Sequence, residues 1–299
     1  MALQKRSAVW GEQKPMQDMT FVHLSDTHIG PKGRLQYGTD TAANLRQVAS
    51  RIHEMALDPI CFVISGDLSD HGEPASYEHL RELFDAVLVP FGVPVLLNLG
   101  NHDQRVPFRH ICLGETEAAD EAEPWYYSQA IQGLRFIMLD SLLPGHIDGA
   151  LGEQQLAWLA AELRQPAPVG HVVVVHHPSI PRGVPRLNDY LLQDRDALAH
   201  ILCQCPSVLA VLCGHSHVST AAAFAGTLHV AAPATAYLMD PSTRGSSRVL
   251  EGCGFNICTV REGRLVVNPV IMPGSQRELS RPSRTDSAQP GHAPASTPM

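Results

Sequence analysis

Positive charge is scarce in this 299-residue chain. It carries 22 Lys+Arg against 30 Asp+Glu, a formal net charge of -8, and its lysines (Lys5, Lys14 and Lys32) all fall near the start. Proteins that hold nucleic acid lean on a basic face to meet the phosphates, so no stable nucleic-acid complex is expected. Charge of either sign is thin at 17% of residues, where about 25% is typical of soluble domains. No apolar run approaches the ~18 residues of a membrane span, and the first residues lack the apolar stretch of a signal peptide. The 7 cysteines (Cys61, Cys112, Cys203, Cys205, Cys213, Cys253, Cys258) are odd in number, form no CxxC, and sit largely in apolar runs. Cys in such runs acts as a small hydrophobe, so neither a disulfide framework nor a thiolate zinc site is expected, and a reducing, cytoplasmic setting is. Neither a GxGxxG nor a Walker phosphate loop occurs. What the chain does have is a core-forming apolar fraction of 44% and 16 His.

Short apolar runs alternate with helical spacing through the first two thirds of the chain. Thr20–Leu24, Ile60–Ser65 and Pro94–Leu99 read as buried strands. Between them, Leu45, Val48, Ile52 and Met55, then Tyr77, Leu80, Phe84 and Val87, recur at helical spacing, with Thr41 and Pro74 as start signals. Leu134–Leu139, His171–Val175 and Val208–Cys213 repeat the strand pattern, with helices expected in Glu153–Arg164 and within Tyr190–Cys205. This order predicts βαβ units and parallel sheet. Thr227–Ala232, Gly254–Val260 and Arg264–Val270 read as antiparallel strands completing a second sheet. Residues 1–19 read as an N-terminal extension, 20–273 as one domain, and 274–299, rich in Pro and Ser, as a disordered tail.

Each of the main strands ends in polar residues of one chemical kind. They are Asp26 and His28, then Asp67, then Asn101, His102 and Asp103, then His176 and His177, then His215 and His217. The C-terminal edge of an α/β sheet is where ligands bind. Residues i and i+2 of an extended segment share a side, so Asp26-x-His28 and His215-x-His217 can each aim two ligands one way. Taken singly, each block has an ordinary explanation as a turn or a strand terminator. Jointly, carboxylate, imidazole and amide donors at five strand ends point to divalent or trivalent cations of borderline or hard character. They are too many for one tetrahedral ion and enough for two that share a carboxylate. A pair of cations is the usual clamp for displacement at phosphorus.

The ordered set Asp26-x-His28, Gly66-Asp67, Gly100-Asn101-His102-Asp103, His176-His177-Pro178 and Gly214-His215-Ser216-His217 resembles the calcineurin-like metallophosphoesterase superfamily. The flanking Asp67-Leu68-Ser69-Asp70-His71-Gly72, Asp140-Ser141 and Gln155-Leu156…Trp158-Leu159 are similar to class III 3′,5′-cyclic nucleotide phosphodiesterases and their glycerophosphodiesterase relatives. The resemblance implies an α/β fold, a four-layer αββα sandwich of two mixed β-sheets flanked by helices. It implies two metal ions (Fe, Mn, Zn or Co, with Fe/Mn preferred), one held by Asp26, His28, Asp67 and His217 and the other by Asp67, Asn101, His176 and His215. The family block places a ligand at His176 and leaves His177 in the variable position. His102 is then the catalytic non-ligand histidine, oriented by Asp103. His71 and His177 are candidates for substrate contact, and Arg182 and Arg186 for phosphate or base contact.

The activity implied is hydrolysis of a small phosphodiester, foremost 3′,5′-cyclic AMP to 5′-AMP, by in-line attack of a metal-bound hydroxide. Glycerophosphodiester or 2′,3′-cyclic nucleotide hydrolysis is the alternative, since the same ligands serve all three. A nuclease is disfavoured by the missing basic stripe. A non-catalytic scaffold would be expected to lack ligands, and none is missing. A homodimer is compatible with the habit of the relatives.

Overall fold

The computed structural model describes residues 18–116, 120–181, 190–240, 248–272, 274 and 278–280. Its first sheet holds β1 (Met19–Leu24), β2 (Phe62–Ser65) and β3 (Val95–Asn98), which run parallel, with α1 (Thr41–Glu54) and α2 (Pro74–Val87) as the crossovers. Asp40 caps α1 by accepting from the Ala43 amide, and Pro74 opens α2 where its missing N–H costs nothing. A 3₁₀ turn, Val89–Phe91, leads into β3, and α3 (Arg105–Cys112) follows it.

The second sheet holds β4 (Tyr127–Ile131), β5 (Leu134–Leu139), β6 (Gly170–Val175), β7 (Val208–Cys213), β8 (Thr220–Phe224) and β9 (Thr227–Ala231), in the order β4-β5-β6-β7-β9-β8. Strands β5, β6, β7 and β9 are parallel, and β4 and β8 close the edges antiparallel. Helices α4 (Gly152–Glu162) and α5 (Arg195–Leu202) belong to this half. After short β10 (Leu238–Asp240) and β11 (Arg248–Leu250) come β12 (Cys253–Arg261) and β13 (Arg264–Met272), a long hairpin.

That hairpin corrects one sequence expectation. It does not complete a second sheet. Strand β12 pairs antiparallel with β1, from Met19↔Val260 to His23↔Asn256, giving the first sheet the order β13-β12-β1-β2-β3. The periodicity of these strands identifies them as strands but carries no record of which neighbour they choose. A second difference lies in the segment read as a tail, where β14 (Glu278–Ser280) pairs with β11 in a third, small sheet. The rest of the tail, apart from Gly274, lies outside the described residues, as do Arg182 and Arg186.

Alternation along the strands builds the layers. Phe21, Val63 and Cys258 of the first sheet face Phe136, Val172, Val174 and Leu212 of the second, with Phe21 and Phe136 meeting edge to face at 5.2 Å. The opposite face of the first sheet, with Val22, Leu24, Phe62 and Ile64, packs on Leu45, Val48, Ile52, Tyr77 and Leu80 of α1 and α2. Ile137, Val173, Val175 and Val211 pack on Leu156, Leu159, Leu198 and Leu202 of α4 and α5. The result is the four-layer αββα sandwich implied by the motifs.

One buried ion pair ties α3 to the end of β5. Arg105, 2% exposed, donates from Nε to Asp140 Oδ2 at 2.7 Å and from Nη2 to Asp140 Oδ1 at 3.0 Å. Its Nη2 also donates to the Leu142 carbonyl at 2.6 Å, while Asp140 accepts from the Trp125 and Leu142 amides. Removing one partner would strand a buried charge, which costs about 3–5 kcal/mol. Arg105→Ala is expected to lower unfolding free energy by that order in urea titrations, against a small loss for Arg51→Ala in an exposed pair.

Candidate metal centre and active site

Both sheets deliver side chains to a common edge. Asp26 and His28 follow β1, Asp67 follows β2, Asn101 and His102 follow β3, His176 follows β6, and His215 and His217 follow β7. The backbone turns sharply at these points. Asp26, His28, Asp67, His215 and His217 all have φ between 41° and 71°. Non-glycine residues rarely occupy that left-handed region, and such strain gathers where the surroundings demand it for a site. Hydrogen bonds hold the turns: the Asp26 amide donates to the Gly66 carbonyl, the His28 amide to the Asp67 carbonyl, and the Gly214 amide to the His176 carbonyl, each at 3.0 Å. Gly214 is needed because a Cβ there would run into Ser25 Oγ and lie 2.6 Å from Asp26 Oδ2.

The Asp67 carboxylate stands at the centre. Its Oδ1 accepts from the His102 amide at 3.0 Å. Its Oδ2 lies 3.5 Å from His28 Nε2 and 3.3 Å from His176 Nε2, so one oxygen faces both halves of the cluster. On one side, His28 Nε2 and His217 Nε2 are 3.1 Å apart, with Asp26 Oδ1 3.6 Å from His217 Nε2. On the other, His176 Nε2 is 3.3 Å from both Asn101 Oδ1 and His215 Nδ1.

The outer nitrogens fix what the inner ones can do. His176 Nδ1 is 2.8 Å from the Ser65 carbonyl and His217 Nδ1 is 2.9 Å from the Tyr237 carbonyl. A carbonyl only accepts, so both rings donate from Nδ1, and in the neutral ring Nε2 keeps its lone pair for the site. His28 Nδ1, buried without a hydrogen-bond partner, is 3.5 Å from the equally orphaned Asp70 Oδ1. Lone pairs and carboxylate oxygens converge from both sides, an arrangement a cation relieves, and the N/O donor set suits two such ions. Without cations the anions draw protons instead. Burial lowers the His176 pKa, but Asp67, Asp26 and the Ser65 carbonyl together raise it to about 9. Burial likewise pushes the Asp67 carboxyl up, yet His176, His102 and His28 hold it well below the usual carboxylate range.

Two singled-out residues have other duties. Asp103, expected to orient His102, accepts from the Leu68 and Ser69 amides at 3.0 Å, the Gly100 amide at 2.9 Å and Tyr77 Oη at 3.0 Å. It pins the Asp67 loop, and the His102 ring is held by the Asp70 carbonyl, 2.7 Å from its Nδ1. His177, a candidate for substrate contact, is fully buried, with Nδ1 2.7 Å from Ser141 Oγ and Nε2 3.1 Å from the Ile147 carbonyl. Burial, with His176 beside it, lowers its pKa to about 3. It braces the strand end instead. His71 stays at the rim, half exposed, with Nε2 3.3 Å from Asp70 Oδ2. Sequence reasoning missed Asp70, whose place three residues after Asp67 was the available signal, and Tyr237, which lies 4.5 Å from His217 ring to ring and has no motif.

A family model of calcineurin-like phosphoesterases matches residues 19–219. The chain belongs to the calcineurin-like phosphoesterase family. It is an enzyme, a hydrolase of phosphoric esters, and members of the family use a dinuclear metal centre. A probable cyclic nucleotide phosphodiesterase of Rhodococcus erythropolis is 35% identical over 93% of this chain and 92% of its own length. A cAMP/cGMP dual specificity phosphodiesterase of Mycobacterium tuberculosis is 36% identical over 88% of this chain and 83% of its own. A glycerophosphodiester phosphodiesterase of Enterobacter lignolyticus is 28% identical over 73% of this chain and 78% of its own. In fold, the chain is similar to a dimetal phosphatase from Danio rerio, with a TM-score of 0.60 at 17% identity, covering 85% of this chain and 99% of that one.

Beneath the phosphoesterase site runs a neutral chain of hydrogen bonds. His23 Nε2 lies 2.9 Å from Ser65 Oγ, which donates to Ser25 Oγ at 2.7 Å, while Asn256 Nδ2 approaches His23 Nδ1 at 3.4 Å. Burial lowers the His23 pKa to about 3. The unfolded chain therefore binds a proton here below pH ~6.5 that the folded chain refuses. Stability from this group is complete above that pH and falls with acidification toward pH 3, by about 1.4 kcal/mol per pH unit. Urea titrations between pH 7 and pH 4 are expected to show that loss, and His23→Gln to flatten part of it.

Proposed function

We propose that this enzyme is a phosphodiesterase that converts 3′,5′-cyclic AMP to 5′-AMP. The observation that carries the chemistry is the single Asp67 oxygen facing His28 and His176, with Asp26, His217, Asn101 and His215 completing a cluster on either side. The substrate class is supported by the two relatives at 35% and 36% identity whose names specify cyclic nucleotides. Asp26, His28, Asp67 and His217 would hold one ion, and Asp67, Asn101, His176 and His215 the other, with iron and manganese as the preferred occupants. When bound, the pair supplies positive charge to the phosphoryl oxygens and lowers the pKa of water.

The chain's own residues do the rest. The His102 ring is fixed by donating from Nδ1 to the Asp70 carbonyl, so Nε2 is the atom that can bind a phosphoryl oxygen or hand a proton to the leaving alkoxide. His71, at the rim beside Asp70, is placed to meet a second oxygen. Asp103 keeps the Asp67 loop and the His102 amide in register. A cytoplasmic location accords with the absence of disulfides among the seven cysteines, all of which are described residues. No helix among the described residues is long and apolar enough to cross a membrane. Glycerophosphodiester or 2′,3′-cyclic nucleotide hydrolysis is the second reading, favoured by the glycerophosphodiester phosphodiesterase relative at 28% identity.

Manganese-loaded protein is expected to hydrolyse cyclic AMP with a higher kcat/KM than glycerophosphoethanolamine or 2′,3′-cyclic AMP, and the reverse order sinks the substrate assignment. Asp67→Ala and Asn101→Ala should abolish turnover and lower the metal content measured by elemental analysis. His102→Ala should keep the metal and lower kcat by about 10²–10⁴-fold, the range of a general acid.

A further inference from the structure

Each half of the cluster has a buried ring behind it. Tyr237, 6% exposed, lies against both imidazoles on the Asp26 side, 4.5 Å from His217 at 32° and 5.5 Å from His28 at 30°. His177, fully buried, lies against both imidazoles on the Asn101 side, 4.9 Å from His176 at 84° and 4.8 Å from His215 at 51°. Each ring thus backs one pair of histidines.

Both rings are tied to elements outside the cluster. The segment before Tyr237 is sewn to the turn after β1, where the Thr235 and Ala236 amides donate to the Ser25 and Asp26 carbonyls at 2.9 and 3.0 Å. His177 fills a loop. Residues 141–150 are closed at the base by the Ala150 amide, which donates to the Ser141 carbonyl at 3.1 Å. Inside that loop the neutral His177 ring donates from Nε2 to the Ile147 carbonyl and accepts at Nδ1 from Ser141 Oγ. Gly149 leaves room for it, since a Cβ there would stand 2.1 Å from His177 Nδ1. The loop is then fastened to the segment after β6, the Gln193 amide donating to the Gly149 carbonyl at 2.8 Å.

A histidine binds a metal well only while its ring keeps its orientation, and the groups that hold the ring from behind set that orientation. His28 Nδ1 is buried without a hydrogen-bond partner, so packing against Tyr237 and His102 carries the orientation of that ring. We propose that His177 is a positioning residue for the ion assigned to Asp67, Asn101, His176 and His215, and that Tyr237 is its counterpart for the ion assigned to Asp26, His28, Asp67 and His217. The inference rests on the two-ion reading and deepens it. One buried ring behind each pair gives each ion its own support, so the two positions can be loosened one at a time. His177 spends both ring nitrogens on the loop, so it supports its ion without ligating it.

Crystals of the full chain soaked at graded manganese concentrations test this without turnover, because anomalous diffraction reads the occupancy of each position separately. The wild type is expected to fill both. His177→Ala should weaken the ion beside Asn101 by about 10–100-fold, the range for groups that orient a metal ligand, and leave the other at its wild-type occupancy. Tyr237→Ala should do the reverse, and Tyr237→Phe, which keeps the ring, should keep both ions. Ser141→Ala removes an anchor of His177 and no ligand, so it should weaken the same ion as His177→Ala by a smaller factor, and it serves as the test if His177→Ala does not fold. Equal loss at both positions overturns the proposal and makes the two rings general packing. So does wild-type occupancy in the variants that remove a ring or its anchor. A wild type that fills fewer than two positions overturns the two-ion reading and the proposal with it, whereas a wild type with both ions and variants without selective loss overturn the proposal alone.

Discussion

The Asp67 carboxylate is an anion that water cannot reach, and the surrounding architecture answers it. It is 1% exposed, and its two oxygens are divided between tasks. Oδ1 takes the His102 amide and so fixes the turn after β3 relative to the turn after β2. Oδ2 is left between His28 and His176, which come from different sheets. A buried carboxylate is tolerable only when hydrogen-bonded and balanced by positive charge. That balance has two sources: imidazolium rings, toward which His176 is driven, or cations held by the same rings in neutral form. Protons and cations therefore compete for the same donors at this cluster.

Holding such a cluster requires two sheets in fixed register at one edge. The interlocked inner faces, with Phe21 against Phe136, set the spacing between sheets. At the edge itself the sheets nearly touch, and space is rationed. A Cβ on Gly66 would sit 2.6 Å from His176 Nδ1, and one on Gly214 would occupy the place of Ser25 Oγ. The Arg105–Asp140 pair adds a polar tie between α3 and the end of β5. Around this edge the left-handed turns at Asp26, His28, Asp67, His215 and His217 are a local cost, met by well-packed strands on either side.

The layers and the edge were legible in the sequence because they depend on local pattern. Apolar strand runs interrupted by Asp, His and Asn give both a parallel sheet and the side of it that binds. The destination of the closing hairpin was not legible, since Cys253–Arg261 would look the same beside any strand with an apolar face. The hydrogen-bond partners of Asp103 and His177 were not legible for a related reason. The resemblance implies that Asp103 orients His102 and leaves His177 a candidate for substrate contact, but motif position does not record which way consecutive residues at a turn or strand end point. Tyr237 and Asp70 join the site only through tertiary contact, so no spacing announces them.

The pairing of β1 with β12 carries a consequence for how the molecule is made. Thr20 and Thr259 lie opposite each other and are 239 residues apart in the chain. During synthesis, the strand that leads into Asp26 and His28 is made well before the strand that pairs with it. Closing a loop of that length is slow relative to local pairing. Asp26 accepts the His215 amide and His23 meets Asn256, so the turn that carries Asp26 and His28 is braced from positions 189 and 233 residues away. The geometry of this edge is therefore a product of long-range pairing and not of any local segment.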